Sequence, residues 1–493
     1  MSPIRDFDRN PLRIAICGGG ASGVLLLNAL RRHAQRGVQV SIIEPRDRLG
    51  GGVAYSTDSK LHLLNVPAGN MSTGPNAQDA FLQWLRAERS RAPWNWSAGD
   101  FAPRALFGEF LRSLADKADS APNLQLSWLR TMADSLAPIR GGWEIVLAHG
   151  APIQADVVVL AMGNETPAPI GEHLMPQERS FVINDPWDRE SKAEIPSNAP
   201  VMLLGTGLTA VDVAVELLAK RGHTGQIIAV SRRGLLPRPQ GAAVAVPPHV
   251  VRYLQSASIR DIVRLVKQYA TQDSSGSRLR GIIKELRRLA PSIWARSTPR
   301  ERQRFMRHLK PYWDVYRHRV APAIHRRITA ALASGQLKVV RGRMEAIECL
   351  REQGAVRVSI RQPHGKLSLE VARVVNCTGP RSDPALSANP LLQSLVGDGV
   401  ARADSLGLGL ATDDRSRVIG ANGAAHADLF ALGALSRGAR FETTAIPEIS
   451  EQVDIVARQI LERVQAAVRP IQTVQTVLPV QPSVVAFAAA SPR

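Results

Sequence analysis

Cysteine is scarce in this 493-residue chain: Cys17, Cys349 and Cys377 are its only three. None belongs to a Cys-x-x-Cys pair, which argues against both a disulfide framework and a dithiol-reductase site. They read instead as small apolar residues of a reducing compartment, so a cytoplasmic location is expected. Apolar runs of membrane-spanning length are missing too, and the opening Met1–Asn10 shows no signal-peptide apolar core. The eleven histidines show no His-x-x-x-His or His-x-Glu spacing, and no metal site is expected. Acidic residues nearly vanish from Arg232 to Arg343, where 25 Lys and Arg face 5 Asp and Glu. That surplus exceeds the whole chain's net charge of +19, so the remainder is close to neutral. A block of this kind suits an anionic cofactor or substrate, solvated helix faces, or a polyanion. No nucleic-acid module accompanies it, and no nucleic-acid partner is expected.

The length allows two or three domains with a sizeable core. Leu12–Cys17 predicts a buried parallel strand, Gly18–Gly23 its turn, Ala21–Arg32 a helix and Val38–Ile43 a second strand. Helices are expected over Asp79–Glu88, capped by Asp79, and Leu106–Lys117. Strands are expected at Leu124–Trp128, Trp143–Leu147 and Val157–Leu160, the last running into Gly163. Pro167–Pro200 reads as a crossover. A second βαβ unit follows: strand Val201–Leu204, helix Ala210–Lys220 and strand Gln226–Val230. Residues 250–333 read as basic helices, and Gln336–Val340, Ala346–Cys349, Ala355–Ile360 and Leu367–Val375 as strands. Val374–Pro380 repeats the strand-then-glycine pattern of residues 157–163. A helix from Pro447 to Val464 closes the fold before a Pro/Val/Gln/Ala tail without period, expected to be disordered.

Gly18, Gly20 and Gly23 match G-x-G-x-x-G. The first glycine permits the tight turn, the second admits a pyrophosphate, and the third lets helix pack on strand. Glu44, ending the second strand, is placed to accept hydrogen bonds from an adenosine ribose. The plainer alternative is a glycine turn that binds nothing. Gly205, Gly207 and Ala210 match the G-x-G-x-x-A variant, but the following strand ends in Arg232-Arg233 rather than an acid. A guanidinium pair suits a 2′-phosphate, hence NADPH; a solvated basic turn is the alternative. Arg317, His318 and Arg319 follow an aromatic stretch (Phe305, Tyr312, Trp313, Tyr316) and are substrate candidates, unless that segment is a helix with a packed aromatic face and a solvated basic one. No nucleophile triad is visible, and no catalytic base can be named.

An acid-type fingerprint, a later basic-type fingerprint and two strand-glycine crossovers resemble the two-dinucleotide flavoproteins. Gly50–Tyr55, His62–Ala68, Asn70–Ser72, Arg304–His308, Trp313–Arg319, Gly433–Gly438 and Phe441–Glu448 are similar to bacterial FAD/NAD(P)-binding proteins. These are related to N-hydroxylating and Baeyer–Villiger monooxygenases and to an FAD-dependent urate hydroxylase. The resemblance implies an α/β fold with two Rossmann-like domains, the NADP domain inserted into the FAD domain and itself carrying the basic helical insertion. The corresponding boundaries are 10–170 and 376–466 for FAD, 197–375 for NADP with its insertion at about 250–333, and 467–493 for the tail. It further implies FAD contacts at Gly18, Gly20, Ala21, Ser22, Gly23, Glu44, Asn65, Met71, Gly433 and Thr444. The loops Gly50–Tyr55 and Leu64–Ser72 would wrap the flavin, and the closing segment would present a helix N-terminus to it. Gly433-Ala434 departs from the usual Gly-Asp, leaving backbone contacts to the ribityl chain. The implied activity is NADPH-driven, O2-dependent hydroxylation of a small anionic or nitrogen-containing substrate. A flavin reductase or oxidase and a non-catalytic FAD-bound interaction protein are the alternatives.

Overall fold

The computed structural model describes residues 11–35, 37–88, 95–220, 222–271 and 275–467; the opening ten residues and the tail from 468 lie outside these bounds. Six strands form the first sheet, in the order Arg417–Ile419, Ala425–Ala431, Val157–Leu160, Leu12–Cys17, Val38–Ile43, Leu124–Leu129. Every neighbouring pair is parallel except the antiparallel pair at the Arg417 edge. The second sheet is wholly parallel, in the order Leu337–Arg341, Ile227–Ser231, Val201–Leu204, Arg373–Asn376, Val182–Ile183. In sequence, the second sheet falls between Val157–Leu160 and Arg417–Ile419 of the first. The chain is therefore a mixed α/β protein with one wholly parallel and one mainly parallel sheet.

Unbroken apolar runs such as Val157–Leu160 and Val201–Leu204 sit at the sheet centres because both faces are covered. Helix Ala21–His33, Arg104–Asp119 and the closing helix Ile446–Ala467 pack on one face of the first sheet. Helix Ala21–His33 buries Val24, Leu25, Leu26, Leu27 and Leu30, and ends on Arg31, Arg32 and His33, the two arginines being cations that suit a helix C-terminus. Helix Leu208–Lys220 covers the second sheet. The basic region forms its own helical body, with Leu254, Ile282 and Leu286 in a separate core.

Two expectations need correction. The run Leu367–Val375 is not one strand. Gly365–Val371 pairs antiparallel with Ala355–Gln362, whereas Arg373–Asn376 enters the parallel sheet beside Val201–Leu204. The chain turns at Ala372, whose N–H donates to Pro200 O at 2.8 Å. Asp79 precedes helix Ala80–Ala87 but does not cap it; its carboxylate accepts from Gln83 Nε2 at 2.9 Å. The expected crossover Pro167–Pro200 also contributes structure, giving the edge strand Val182–Ile183 and the short helix Arg189–Ala193. Among the described residues no helix is long and apolar enough to cross a membrane.

Candidate functional site

The first glycine turn links strand Leu12–Cys17 to helix Ala21–His33. Gly18 adopts φ +108°, and a Cβ there would lie 2.5 Å from Ala161 O. A Cβ at Gly23 would lie 2.1 Å from Gly18 O. Gly20 meets only Gly52 Cα, at 3.7 Å, and leaves the first-turn amides without a side-chain cap. Two glycines thus close the turn and the middle one keeps its backbone approachable, the arrangement a pyrophosphate needs. Ala21 and Ser22 open the helix, Ser22 being buried.

Glu44 is 3 % exposed and ends strand Val38–Ile43. Its Oε2 accepts from Gly19 N at 2.9 Å, and Oε1 accepts from Arg46 N and Nη1, both at 3.1 Å. The carboxylate therefore braces the glycine turn. Gly50 N donates to Gly19 O at 2.8 Å, which draws the loop beginning at Gly50 across the turn. A cavity of about 1200 Å³ opens beside it, lined in part by Arg46, Gly51, Gly52, Tyr55, Arg112 and Arg189.

The closing segment meets this turn directly. Gly433 adopts φ +61°, and a Cβ there would sit 3.1 Å from Ser22 Oγ. Its N–H donates to Gln452 Oε1 at 2.9 Å, while Gln452 Nε2 donates to Ser416 Oγ and Ser436 Oγ, both at 2.9 Å. Ser416 is the one non-glycine residue with positive φ among those described. Sequence reasoning passed over fully buried Gln452. The available signal was a polar residue within the apolar stripe Ile449, Val453, Val456, Ile460.

The other expected flavin contacts are distributed differently. Met71 is buried in the core at 1 % exposure, so its side chain serves packing and only its backbone could face a cofactor. Asn65 is half-buried and its carbonyl accepts from Gln240 Nε2 at 2.7 Å, a link to the second unit. Thr444 is exposed at the entry to the closing helix. Ser450 Oγ donates to Ser72 O at 2.6 Å, fastening the 64–72 loop to that helix.

The second turn repeats the first. Gly205 has φ +129° and its Cβ would lie 2.2 Å from Cys377 O, on the second strand-glycine crossover. Gly207 faces open space, and Ala210 is buried under the helix. Thr206 Oγ1 donates to Leu235 O at 2.6 Å and lies 2.8 Å from Ser231 Oγ, fixing the strand end. Arg232 and Arg233 follow that strand and are exposed, Arg233 lying 5.8 Å from the Tyr312 ring centroid.

A largely buried polar cluster that sequence reasoning missed gathers against helix Leu208–Lys220. Arg104 Nη2 pairs with Asp212 Oδ2 at 2.5 Å, and Lys192 Nζ with Glu216 Oε2 at 2.8 Å. His62 Nδ1 lies 2.7 Å from Thr57 Oγ1, and Trp187 stands edge-on to its ring. Burial lowers the His62 pKa, favouring the neutral imidazole. Asp212 and Glu216, four apart on one helix, were the available signal. Burial also pushes the Cys17 thiol up to about 12 and the Cys377 thiol upward, which suppresses thiolate chemistry.

Of the three substrate candidates, Arg317 and Arg319 are held by protein partners. Arg317 is buried; its Nε donates to Glu442 Oε2 at 2.6 Å and its Nη2 to Glu448 Oε1 at 3.5 Å. Arg287 also binds Glu448, and Trp313 Nε1 donates to Glu442 Oε1 at 2.7 Å. Arg317 is thus a strut between the helical insertion and the closing segment. Arg319 is buried, donates to Tyr316 O at 2.8 Å, and is pushed down to about 10 by burial and then by Arg280, Arg317 and Arg287. His318 is half-buried, 3.8 Å from Asp314 Oδ1, and desolvation, followed by Arg317, Lys310, Arg287 and Arg437, pushes it down to about 3. That imidazole is neutral near pH 7. Lone basic residues beside aromatics could not disclose acids more than a hundred positions away.

Residues 15–165 match the FAD-NAD(P)-binding family. No curated protein matches the sequence. The fold as a whole is similar to reduced ornithine hydroxylase from Pseudomonas aeruginosa, at TM-score 0.61 and 13 % identity, covering 92 % of this chain and 99 % of that one. An ornithine N-hydroxylase from Kutzneria sp. 744, solved with reduced FAD, NADP+ and L-ornithine, gives 0.60 at 14 % identity, with 92 % and 99 % covered. L-lysine 6-monooxygenase from Pseudomonas syringae gives 0.60 at 16 % identity, with 93 % and 100 % covered. The likeness is one of fold, that of two-dinucleotide flavoprotein monooxygenases.

Proposed function

We propose that the protein is an FAD-dependent, NADPH-consuming monooxygenase that hydroxylates a small anionic or nitrogen-containing molecule with O2. The observation behind this reading is the pair of equivalent glycine turns, one beside buried Glu44 and the other beside exposed Arg232 and Arg233. Gly18, Gly20, Ala21, Ser22 and Gly23 would hold the FAD pyrophosphate, whose charge the open helix N-terminus favours. Glu44 would take the ribose hydroxyls; Gly433, Thr444 and the backbone of Asn65 and Met71 would flank the flavin. Gly205, Gly207 and Ala210 would hold NADPH, with Arg232 and Arg233 on its 2′-phosphate. Bound FAD would supply the two-electron chemistry, taking hydride from NADPH and reducing O2, while the protein positions the reactants and excludes water. The nitrogen-containing substrate class is suggested by the ornithine and lysine enzymes of similar fold.

The test is anaerobic mixing of FAD-loaded protein with NADPH, followed by admission of O2 during a screen of amines and small anions. Bleaching of the flavin, then O2 uptake matched by hydroxylated product, is the expected result. Bleaching with reoxidation indifferent to every substrate would move the protein to the reductases or oxidases. An unbleached flavin would leave a binding protein without turnover.

A further inference from the structure

The helical insertion borders an open apolar pocket of about 570 Å³, separate from the cavity beside the first glycine turn. Ile262, Val266 and Ala270 line one side at helical spacing along Ile259–Thr271. Ile283 and Leu286 of Ser277–Arg296 face them, and Trp313 and Phe441 complete the wall. Its volume lies within the range of small-molecule sites, about 300–1,000 Å³. The backbone at Phe305–Leu309 is π-helical, and Phe305 and Leu309 both border the pocket. Helical distortions of that kind recur at functional sites.

The residues lining this apolar space carry charge of one sign, although Glu442 accepts from Trp313 Nε1 at 2.7 Å. Lys267 is the single charged side chain lining it, is exposed, and has no acidic residue beside it in the lining. Other cations stand against the aromatic walls: Arg238 lies 5.8 Å from the Tyr316 ring centroid and Arg302 5.3 Å from that of Trp294. Trp294 stacks on Phe441 with centroids 4.3 Å apart, so the pocket is built onto the closing segment rather than hanging free. An apolar interior with a lysine in its lining suits a ligand with an apolar body and an anionic end.

We propose that the insertion binds one free acyl-chain carboxylate, its chain in the pocket and its carboxylate at Lys267. The assignment is independent of the redox reading, because binding can be measured without nicotinamide nucleotide. The probe is dodecanoate below its micelle concentration, titrated into the full-length, FAD-loaded protein. Calorimetry gives the stoichiometry, and tryptophan fluorescence reports on Trp294 and Trp313 in the wall. Saturation at one equivalent is expected, with dodecyltrimethylammonium binding at least tenfold more weakly. Lys267→Glu should weaken dodecanoate roughly three- to tenfold, since an exposed ion pair contributes modestly and the substitution adds repulsion. Ala270→Trp, at an exposed lining position, should abolish binding while the thermal melt and FAD content stay unchanged. Unsaturable uptake, equal binding of the cationic amphiphile, or full binding by the Ala270→Trp protein would overturn the proposal. Binding to anionic phospholipid vesicles without binding of free dodecanoate would assign the pocket to a membrane surface instead. A ligand-free dimer converted to monomer by Ala270→Trp would assign it to a second copy of the chain.

Discussion

Replacing Arg317 with methionine should loosen the helical insertion from the closing segment before it alters any chemistry. The side chains of Arg317 and Glu442 are each 5 % exposed, and their 2.6 Å contact is the short arm of the junction. Methionine keeps much of the apolar volume but leaves the Glu442 carboxylate with Trp313 Nε1 as its remaining partner in that contact. Removing one member of a buried pair costs about 3–5 kcal/mol, because the abandoned charge stays out of water. Glu448 retains Arg287, so the lower end, about 3 kcal/mol, is expected. Glu442→Gln on top of Arg317→Met removes the stranded charge and should restore stability, giving a coupling of about 1–3 kcal/mol in the double-mutant cycle. Urea unfolding followed by tryptophan fluorescence reads the junction directly, since Trp294 donates to Gly438 O at 2.7 Å. Stability within about 0.5 kcal/mol of the parent, the usual range for an inconsequential surface change, would refute the strut. A raised KM for substrate at unchanged stability would return Arg317 to substrate binding.

Gly18→Ala should yield protein that purifies with little FAD, because its Cβ would meet Ala161 O at 2.5 Å and φ is +108°. Gly205→Ala should keep its FAD, seen in the visible spectrum, but lose reduction by NADPH; equal flavin loss in both would sink the division of labour between the turns. Replacing either Arg232 or Arg233 by alanine should raise the NADPH KM roughly 10- to 100-fold, as one hydrogen bond to a charged group contributes about 1.5–3 kcal/mol; an equal rise for NADH would remove the 2′-phosphate assignment. His318 has an ordinary value of 6.5 when unfolded and is depressed to about 3 when folded. Its contribution is therefore intact above 6.5 and is lost as pH falls from 6.5 toward 3, where the unfolded chain takes up the proton first. His318→Asn should flatten the fall of melting temperature over that interval, and a slope equal to the parent's would show that other groups set the acid limit.

The two glycine turns were legible because their geometry is local: a strand, a left-handed glycine and a helix start within a dozen residues. The strands Val157–Leu160 and Val201–Leu204 were legible as uninterrupted apolar runs, and Leu12–Cys17 and Val38–Ile43 as short, mainly apolar segments flanking the first turn and its helix. Leu367–Val375 alternates apolar and polar residues as one strand would, but its division at Ala372 depends on two different partner strands. Met71 could be placed in a loop near the first turn, yet whether its side chain faced a cofactor or the core depended on what packed over it.

By itself the sequence determined the parallel α/β units, the two nucleotide-type turns, the acid after one and the arginine pair after the other. Those features follow from backbone sterics and from residues within one βαβ unit. Tertiary structure alone decided that Arg317 is a strut, that Gln452 organises Gly433 and Ser416, and that the insertion's aromatic residues wall an apolar pocket. A charged or aromatic side chain takes its role from whatever removes it from water. For Arg317 that partner is Glu442, 125 positions along the chain.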